Sequence, residues 1–290
     1  MAPIIWQDRP ESLRAPAMVC AFGGWNDAAE AATAAASYIG AAVGAQGFAH
    51  LDPEGFYDFQ ATRPQISLVD GEAREVTWPT VAMSAARVRR APRDLVIVTG
   101  PEPSMHWRTF CEAVIDLAEA LGVQMVISLG ALLADVAHTR PVPMVGVTSD
   151  PALAERASLV SPSYEGPTGI TGVLHGAFEE AGMPAVSVWA SVPHYVAAAP
   201  NPKASLALVR KVESVAGVSV DAGELEAAAT DYERRVSSAV AGDDEVRSFV
   251  ERLEEAADAE AEAEGEQEVP SADALARDFQ RFLNQRGEED

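Results

Sequence analysis

The chain has 290 residues, 48% of them apolar and 22% charged, which is enough to bury a sizeable core. Its formal net charge of −23 argues against nucleic acid or an anionic membrane surface as partner, since both are polyanions. The longest apolar runs are strand-length, short of the roughly 20 residues of a spanning helix, and no basic stretch leads into an apolar one at the start. A cytoplasmic protein without a signal peptide is therefore expected.

In chain order, Ala17 to Phe22 reads as a first strand, which ends in Gly23-Gly24-Trp25-Asn26-Asp27 and runs into an Ala-rich helix to about Ala42. Alternating stretches around Ile66 to Val69 and Val81 to Val88, with Asp70-Gly71 between them, predict antiparallel strands or hairpins inserted in the sheet. Asp94 to Thr99 is a buried strand by its continuous apolar run. It stops at Gly100-Pro101-Glu102-Pro103, and a helix follows from about Ser104 to Leu121. Val123 to Leu129 and Pro143 to Thr148 are further strands, and Asp150-Pro151 has the form of an N-cap followed by proline at the first helical position. Gly166, Gly169, Gly172 and Gly176 lead into a helix ending near Gly182; small residues so spaced predict close packing on a sheet. Ala185 to Ala190 is another strand and Pro202 to Val215 another helix. This alternation predicts an α/β core with a mixed, mostly parallel sheet flanked by helices.

Beyond Val220 the strands cease. Asp221-Ala222-Gly223-Glu224 resembles a capping box that opens helices to about Ala257, and an apolar stripe of Leu275, Phe279, Phe282 and Leu283 predicts a last helix. Residues 221–290 carry 22 acidic and 7 basic side chains, a net of −15, against −8 for residues 1–220. Two regions are expected: a core over 1–220, and an acidic helical extension over 221–290 with a Glu-rich linker, or frayed helix, near 258–270.

The loops after the strands are where an α/β sheet holds ligands. Gly23 and Gly24 would let backbone N–H groups approach an anion, or simply form a tight turn capped by Asn26 or Asp27. Glu102 and Arg108 offer a carboxylate and a guanidinium, or an Arg–Glu pair closing a turn. Asp135, His138 and Arg140 suit acid–base work, anion binding or a structural network. Tyr164, Glu165 and Thr168 precede the glycine-spaced helix, and His194, Tyr195 and Lys203 follow the last strand. No phosphate-binding loop, dinucleotide fingerprint, nucleophile elbow or zinc-protease pair occurs. The five histidines, at 50, 106, 138, 175 and 194, lack ligand-like spacing, so neither a metal nor a cofactor is expected. Cys20 and Cys111 read as two buried thiols far apart in sequence, with no disulfide framework.

These loops resemble the bacterial branch of the proteasome assembly chaperone 2 family. The resemblance rests on Phe22-Gly23-Gly24-Trp25-Asn26-Asp27, Phe56-Tyr57-Asp58-Phe59 with Arg63-Pro64, Gly100-Pro101-Glu102-Pro103 with Trp107-Arg108, and Leu129 to Val136 with His138-Thr139-Arg140-Pro141. It continues in Tyr164-Glu165-Gly166-Pro167-Thr168-Gly169 and in Val192 to Val196 with Asn201-Pro202-Lys203, and spans roughly Trp6 to Leu283. It implies a core like that of the purine nucleoside phosphorylases, a homo-oligomer with a trimer favoured, and, from eukaryotic and archaeal relatives, a chaperone that binds proteasome subunits. Such relatives often end in a hydrophobic–Tyr–any tripeptide; residues 287–290 here read Gly287-Glu288-Glu289-Asp290, so docking through such a tail is not among the expectations.

The leading expectation is a non-catalytic protein-binding or assembly-chaperone-like protein. The alternative is a small-molecule binder or a nucleoside hydrolase or phosphorylase. There Gly23, Gly24 and Arg140 would hold an anion, Trp25 or Tyr195 would stack on a base, and Glu102 or Glu165 would bind ribose hydroxyls.

Overall fold

The computed structural model describes residues 3–69, 73–157, 160, 164–196 and 199–268. Two compact units divide the chain, Met1–Ser238 and Ala239–Asp290.

Four strands form the centre of the first unit: β2 (Ala17–Gly23), β7 (Leu95–Pro101), β8 (Met125–Ala134) and β10 (Ala185–Pro193). They run parallel in the order β7-β2-β8-β10. They are mostly apolar, without a break from Ala17 to Phe22 and from Leu95 to Val98, because both faces are covered. In β2, Val19 and Ala21 face one layer while Met18, Cys20 and Phe22 face the other. Beyond β7 the sheet continues antiparallel through β6 (Ala82–Ala86), β3 (Gln46–Leu51) and β1 (Ile4–Trp6), and beyond β10 through β9 (Met144–Val147). The mixed sheet is thus parallel in its middle and antiparallel at both margins.

Helices cover both faces. α1 (Ala31–Ala42), α3 (Pro151–Ala157) and α5 (Pro202–Ala216) bury Ile39, Leu153, Leu208 and Val212 on one side. On the other, α2 (Trp107–Ala120) and α4 (Ile170–Glu180) bury Phe110, Leu117, Leu174 and Phe178. The predicted cap holds: Asp150 Oδ1 accepts from Ala152 N at 2.8 Å and from Leu153 N at 3.1 Å.

Three sequence expectations are corrected. Ile66 to Val69 is not inserted in the main sheet. It forms a separate hairpin, β4 (Gln65–Val69) with β5 (Ala73–Thr77), while β6 joins the main sheet. Asp70-Gly71 lies outside the described residues. β8 runs five residues past Leu129, because Gly130 lets β10 approach: a Cβ at Gly130 would sit 2.4 Å from the Trp189 ring. Of the four spaced glycines, Gly176 has open space where its Cβ would be and Gly172 meets only Thr168, so the spacing does not mark packing on a sheet. Of the two readings of the Glu/Ala-rich stretch, the structure has the helix, within α7 (Asp244–Glu268). The predicted last helix at 275–283 lies outside the described residues.

α6 (Gly223–Val240) opens at Asp221, whose Oδ1 accepts from Gly223 N at 3.2 Å. Up to Ser238 it belongs to the first unit, with Leu225, Ala229 and Tyr232 buried. No helix among the described residues is long and apolar enough to cross a membrane.

Candidate functional site

Because β2, β7, β8 and β10 are parallel, the loops leaving their C-terminal ends share one edge of the sheet. The first of these loops is built by its own backbone. Gly24 takes φ +122°, a region that favours glycine, and Ala131 N donates to the Asn26 carbonyl at 2.8 Å. Asp27 then caps the helical entry: its Oδ1 accepts from Ala32 N at 2.7 Å and its Oδ2 from the Thr33 hydroxyl. Burial raises the Asp27 pKa above its ordinary value, and those donors from Thr33 and Ala32 oppose the rise.

Glu102 is the link between loops. Its Oε1 accepts from Asn26 Nδ2 at 2.7 Å and from Ile170 N, in the first turn of α4, at 2.7 Å. A carboxylate at a helix N-terminus is favourable, and here it joins β2, β7 and α4. Gly169 is required at this junction, since a Cβ there would lie 2.2 Å from Asn26 Oδ1. The expected pairing of Glu102 with Arg108 is not formed; Arg108 is exposed and has no ion pair among the described residues.

Most of the sixteen sequence candidates divide among three places; Arg108, Asp135 and Glu165 line none of them. Gly23, Gly24, Asp27 and Glu102 line an open cleft of about 860 Å³, together with Glu30 and the hydroxyl residues Thr33, Thr99 and Ser104. Its charged lining is carboxylate, which does not suit an anion. Gly24 also borders a second space of about 770 Å³ with Trp25, Tyr164, Thr168 and His194. That groove is apolar: Leu132, Leu133, Pro167, Trp189 and Val196 complete it. Trp25 is 64% exposed, Leu133 60% and Tyr164 65%. Glu165 is exposed on the same segment as Tyr164.

His138, Arg140 and Lys203 belong to a third place, a cavity of about 10 Å³, the size of one water. His138 is 3% exposed; its Nδ1 lies 2.7 Å from the Tyr195 hydroxyl and its Nε2 3.0 Å from Ser237 Oγ. Lys203 Nζ donates to the His138 carbonyl and to Glu233 Oε2, each at 2.5 Å, and Asn201 Nδ2 donates to the Tyr232 hydroxyl at 3.1 Å. Arg140 Nη1 donates to Thr139 Oγ1 at 3.3 Å. His138, Asn201 and Lys203 thus fasten α6 to the strand ends. Asp135 pairs instead with His194, at 2.8 Å.

Sequence reasoning missed Tyr232, Glu233 and Ser237, which sit in a helix whose acidic composition masks its buried stripe. It also missed Leu132 and Leu133, whose signal was an apolar pair past the expected strand end. No group of three or more metal-ligating side chains gathers among the described residues.

Comparison with known proteins follows this geometry. A PAC2 family protein from Streptomyces avermitilis MA is 50% identical, with TM-score 0.76, covering 81% of this chain and 99% of that one. A proteasome-assembly chaperone homologue from Mycobacterium tuberculosis is 45% identical, with TM-score 0.75, covering 81% and 99%. The archaeal proteasome activator PbaB of Pyrococcus furiosus, 18% identical with TM-score 0.65 over 81% and 97%, shares the fold. No curated protein matches. The sequence pattern of the PAC2 family matches residues 21–240, and the chain belongs to that family.

Proposed function

We propose that the protein is a non-catalytic protein-binding factor of the assembly-chaperone kind, which receives its partner on the strand-end edge of the sheet. The observation that carries this reading is the groove whose Trp25, Leu133 and Tyr164 stay more than half exposed. A partner that covers such side chains gains the free energy of apolar burial, with aromatic anchors at the centre of the contact. The polar candidates support the same reading, since Asn26, Asp27, Glu102, His138 and Lys203 bond to one another or to backbone. The names of the relatives make proteasome subunits the first partner to test.

The enzymatic alternative needs Gly23, Gly24 and Arg140 around one anion. Gly23 and Gly24 border carboxylates, and Arg140 lines a different, water-sized cavity.

Self-association belongs to the same proposal, with a trimer favoured by the phosphorylase-like resemblance. The β4–β5 hairpin presents Ile66, Leu68, Val76 and Trp78, all exposed, as an apolar face that a second copy would cover.

A thermal-shift series of wild type and Arg140→Ala with phosphate, nucleosides and nucleotides tests the non-catalytic reading. No ligand should raise the wild-type midpoint appreciably, and the variant should melt a few degrees lower for loss of a half-buried structural group. A ligand-dependent rise of several degrees that disappears in Arg140→Ala would instead establish a small-molecule pocket.

A further inference from the structure

At the opposite edge of the sheet, where β2 and β7 begin, lies a patch that the docking groove does not involve. The turn joining β6 to β7 reads Arg87-Val88-Arg89-Arg90-Ala91-Pro92-Arg93, four arginines in seven residues with no acid among them. Arg14, just ahead of β2, is a fifth. They gather in a chain that carries 44 acidic and only 21 basic residues.

Asp94 builds the frame. It is 2% exposed; its Oδ1 accepts from Val88 N at 3.0 Å and from Arg14 Nη2 at 3.1 Å, and its Oδ2 accepts from Arg14 N at 2.6 Å. Arg14 Nη2 also donates to the Val88 carbonyl at 2.9 Å. The turn is thereby pinned to the segment before β2, around an open cleft of about 300 Å³ lined by Ser12, Arg14, Arg87, Val88, Arg89 and Asp94.

The guanidiniums of the turn itself are poorly neutralised. Arg87 pairs with Glu11 at 3.0 Å, but both side chains are more than half exposed, and such a pair exchanges readily for another carboxylate. Arg93 reaches only the Ala15 carbonyl, at 3.4 Å. Arg89 and Arg90 are exposed and make no ion pair or side-chain hydrogen bond among the described residues. Arg90 holds φ +61°, a position that favours glycine, yet the turn keeps an arginine there. Crowding like charges costs free energy that an incoming anion relieves, and the guanidinium fork matches a carboxylate.

We propose that this Asp94-braced arginine turn is a docking surface for an acidic segment of a partner protein, a short run of Glu and Asp side chains. A short segment engages the patch within about one Debye length, roughly 8–10 Å at physiological salt. A nucleic acid would run past the turn and bring its phosphates against the acidic remainder of the molecule.

The test is fluorescence anisotropy of a labelled octaglutamate peptide with the full chain. Wild type should bind, and binding should vanish near 1 M salt, where the Debye length falls to about 3 Å. Arg89→Gln/Arg90→Gln should bind about tenfold more weakly, each exposed contact contributing about threefold. Because neither side chain supports the fold, its melting midpoint should be unchanged. Arg63→Gln/Arg234→Gln removes the same charge elsewhere and should bind as wild type. Absence of wild-type binding, or equal weakening in the two variants, would overturn the proposal. So would tighter binding of an oligothymidylate of equal length.

Discussion

His175 is buried in α4 with both ring nitrogens lacking a hydrogen-bond partner, although Glu179 Oε1 lies 3.5 Å from Nε2. Burial holds its pKa below the ordinary 6.5, and the nearby Glu179 carboxylate opposes that fall. A base depressed in the folded state binds protons preferentially when unfolded, so its stability contribution is complete above about 6.5 and declines as pH drops below it. His175→Leu should flatten that acid-side decline and add about 1 kcal/mol, by removing unsatisfied polar atoms. Urea midpoints measured between pH 5 and 8 check this; an unchanged slope in the variant would refute it. Asp27 acts in the opposite sense. Its pKa is raised by burial, so its contribution is greatest below the ordinary carboxylate value and is lost as pH rises through the raised one. Asp27→Asn, which keeps an acceptor for Ala32 N, should therefore match or exceed wild type at neutral pH, whereas Asp27→Ala should lose about 1–2 kcal/mol of capping. Chemical denaturation at pH 7 separates the two. The sequence narrowed the cap to Asn26 or Asp27, because a short acceptor before an Ala-rich helix commonly serves there, and could not choose between them. It could not identify the partners of Glu102, which come from segments 76 and 68 residues away.

The central strands were legible because burial on both faces leaves a continuous apolar run, as in Ala17 to Phe22 and Leu95 to Val98. The margins were not. Which strand β6 joins depends on tertiary neighbours rather than on its own alternation, and three-residue β1 carries too little pattern to stand out. α6 was expected as a helix, but its place in the core was obscured by composition: acidic side chains fill its exposed positions, while Leu225, Ala229 and Tyr232 form the buried stripe. Its bonds to Asn201, His138 and Lys203 place it in the first unit. A chain ending at Ser238 should accordingly remain folded with a midpoint close to the full chain's. One ending at Val220 removes the Tyr232 and Ser237 contacts and should be insoluble or strongly destabilised. Circular dichroism melts of the two truncations decide, and equal stability would show that α6 is dispensable.

At the scale of the whole molecule, exposed apolar surface gathers in two places of the first unit, the strand-end groove and the β4–β5 hairpin. Light scattering should return about three times the 30.6 kDa chain mass, and Leu68→Lys/Trp78→Lys should lower it without lowering helix content. A wild-type mass near 30.6 kDa would remove the self-association. The candidate site was legible as a set of strand-end loops, since parallel topology brings such loops together whatever their sequence. Its division into an acidic cleft, an apolar groove and an α6 clamp was not, because exposure of Trp25 and burial of His138 are set by neighbours distant in sequence. The groove as a protein-docking surface is tested most directly by equilibrium binding of the purified chain to purified proteasome subunits. Wild type should bind saturably, and Trp25→Ala/Leu133→Asp should bind at least about tenfold more weakly, at the scale of losing a buried aromatic anchor, while melting as wild type does. Undiminished binding by that variant, or no binding by wild type, would contradict the account.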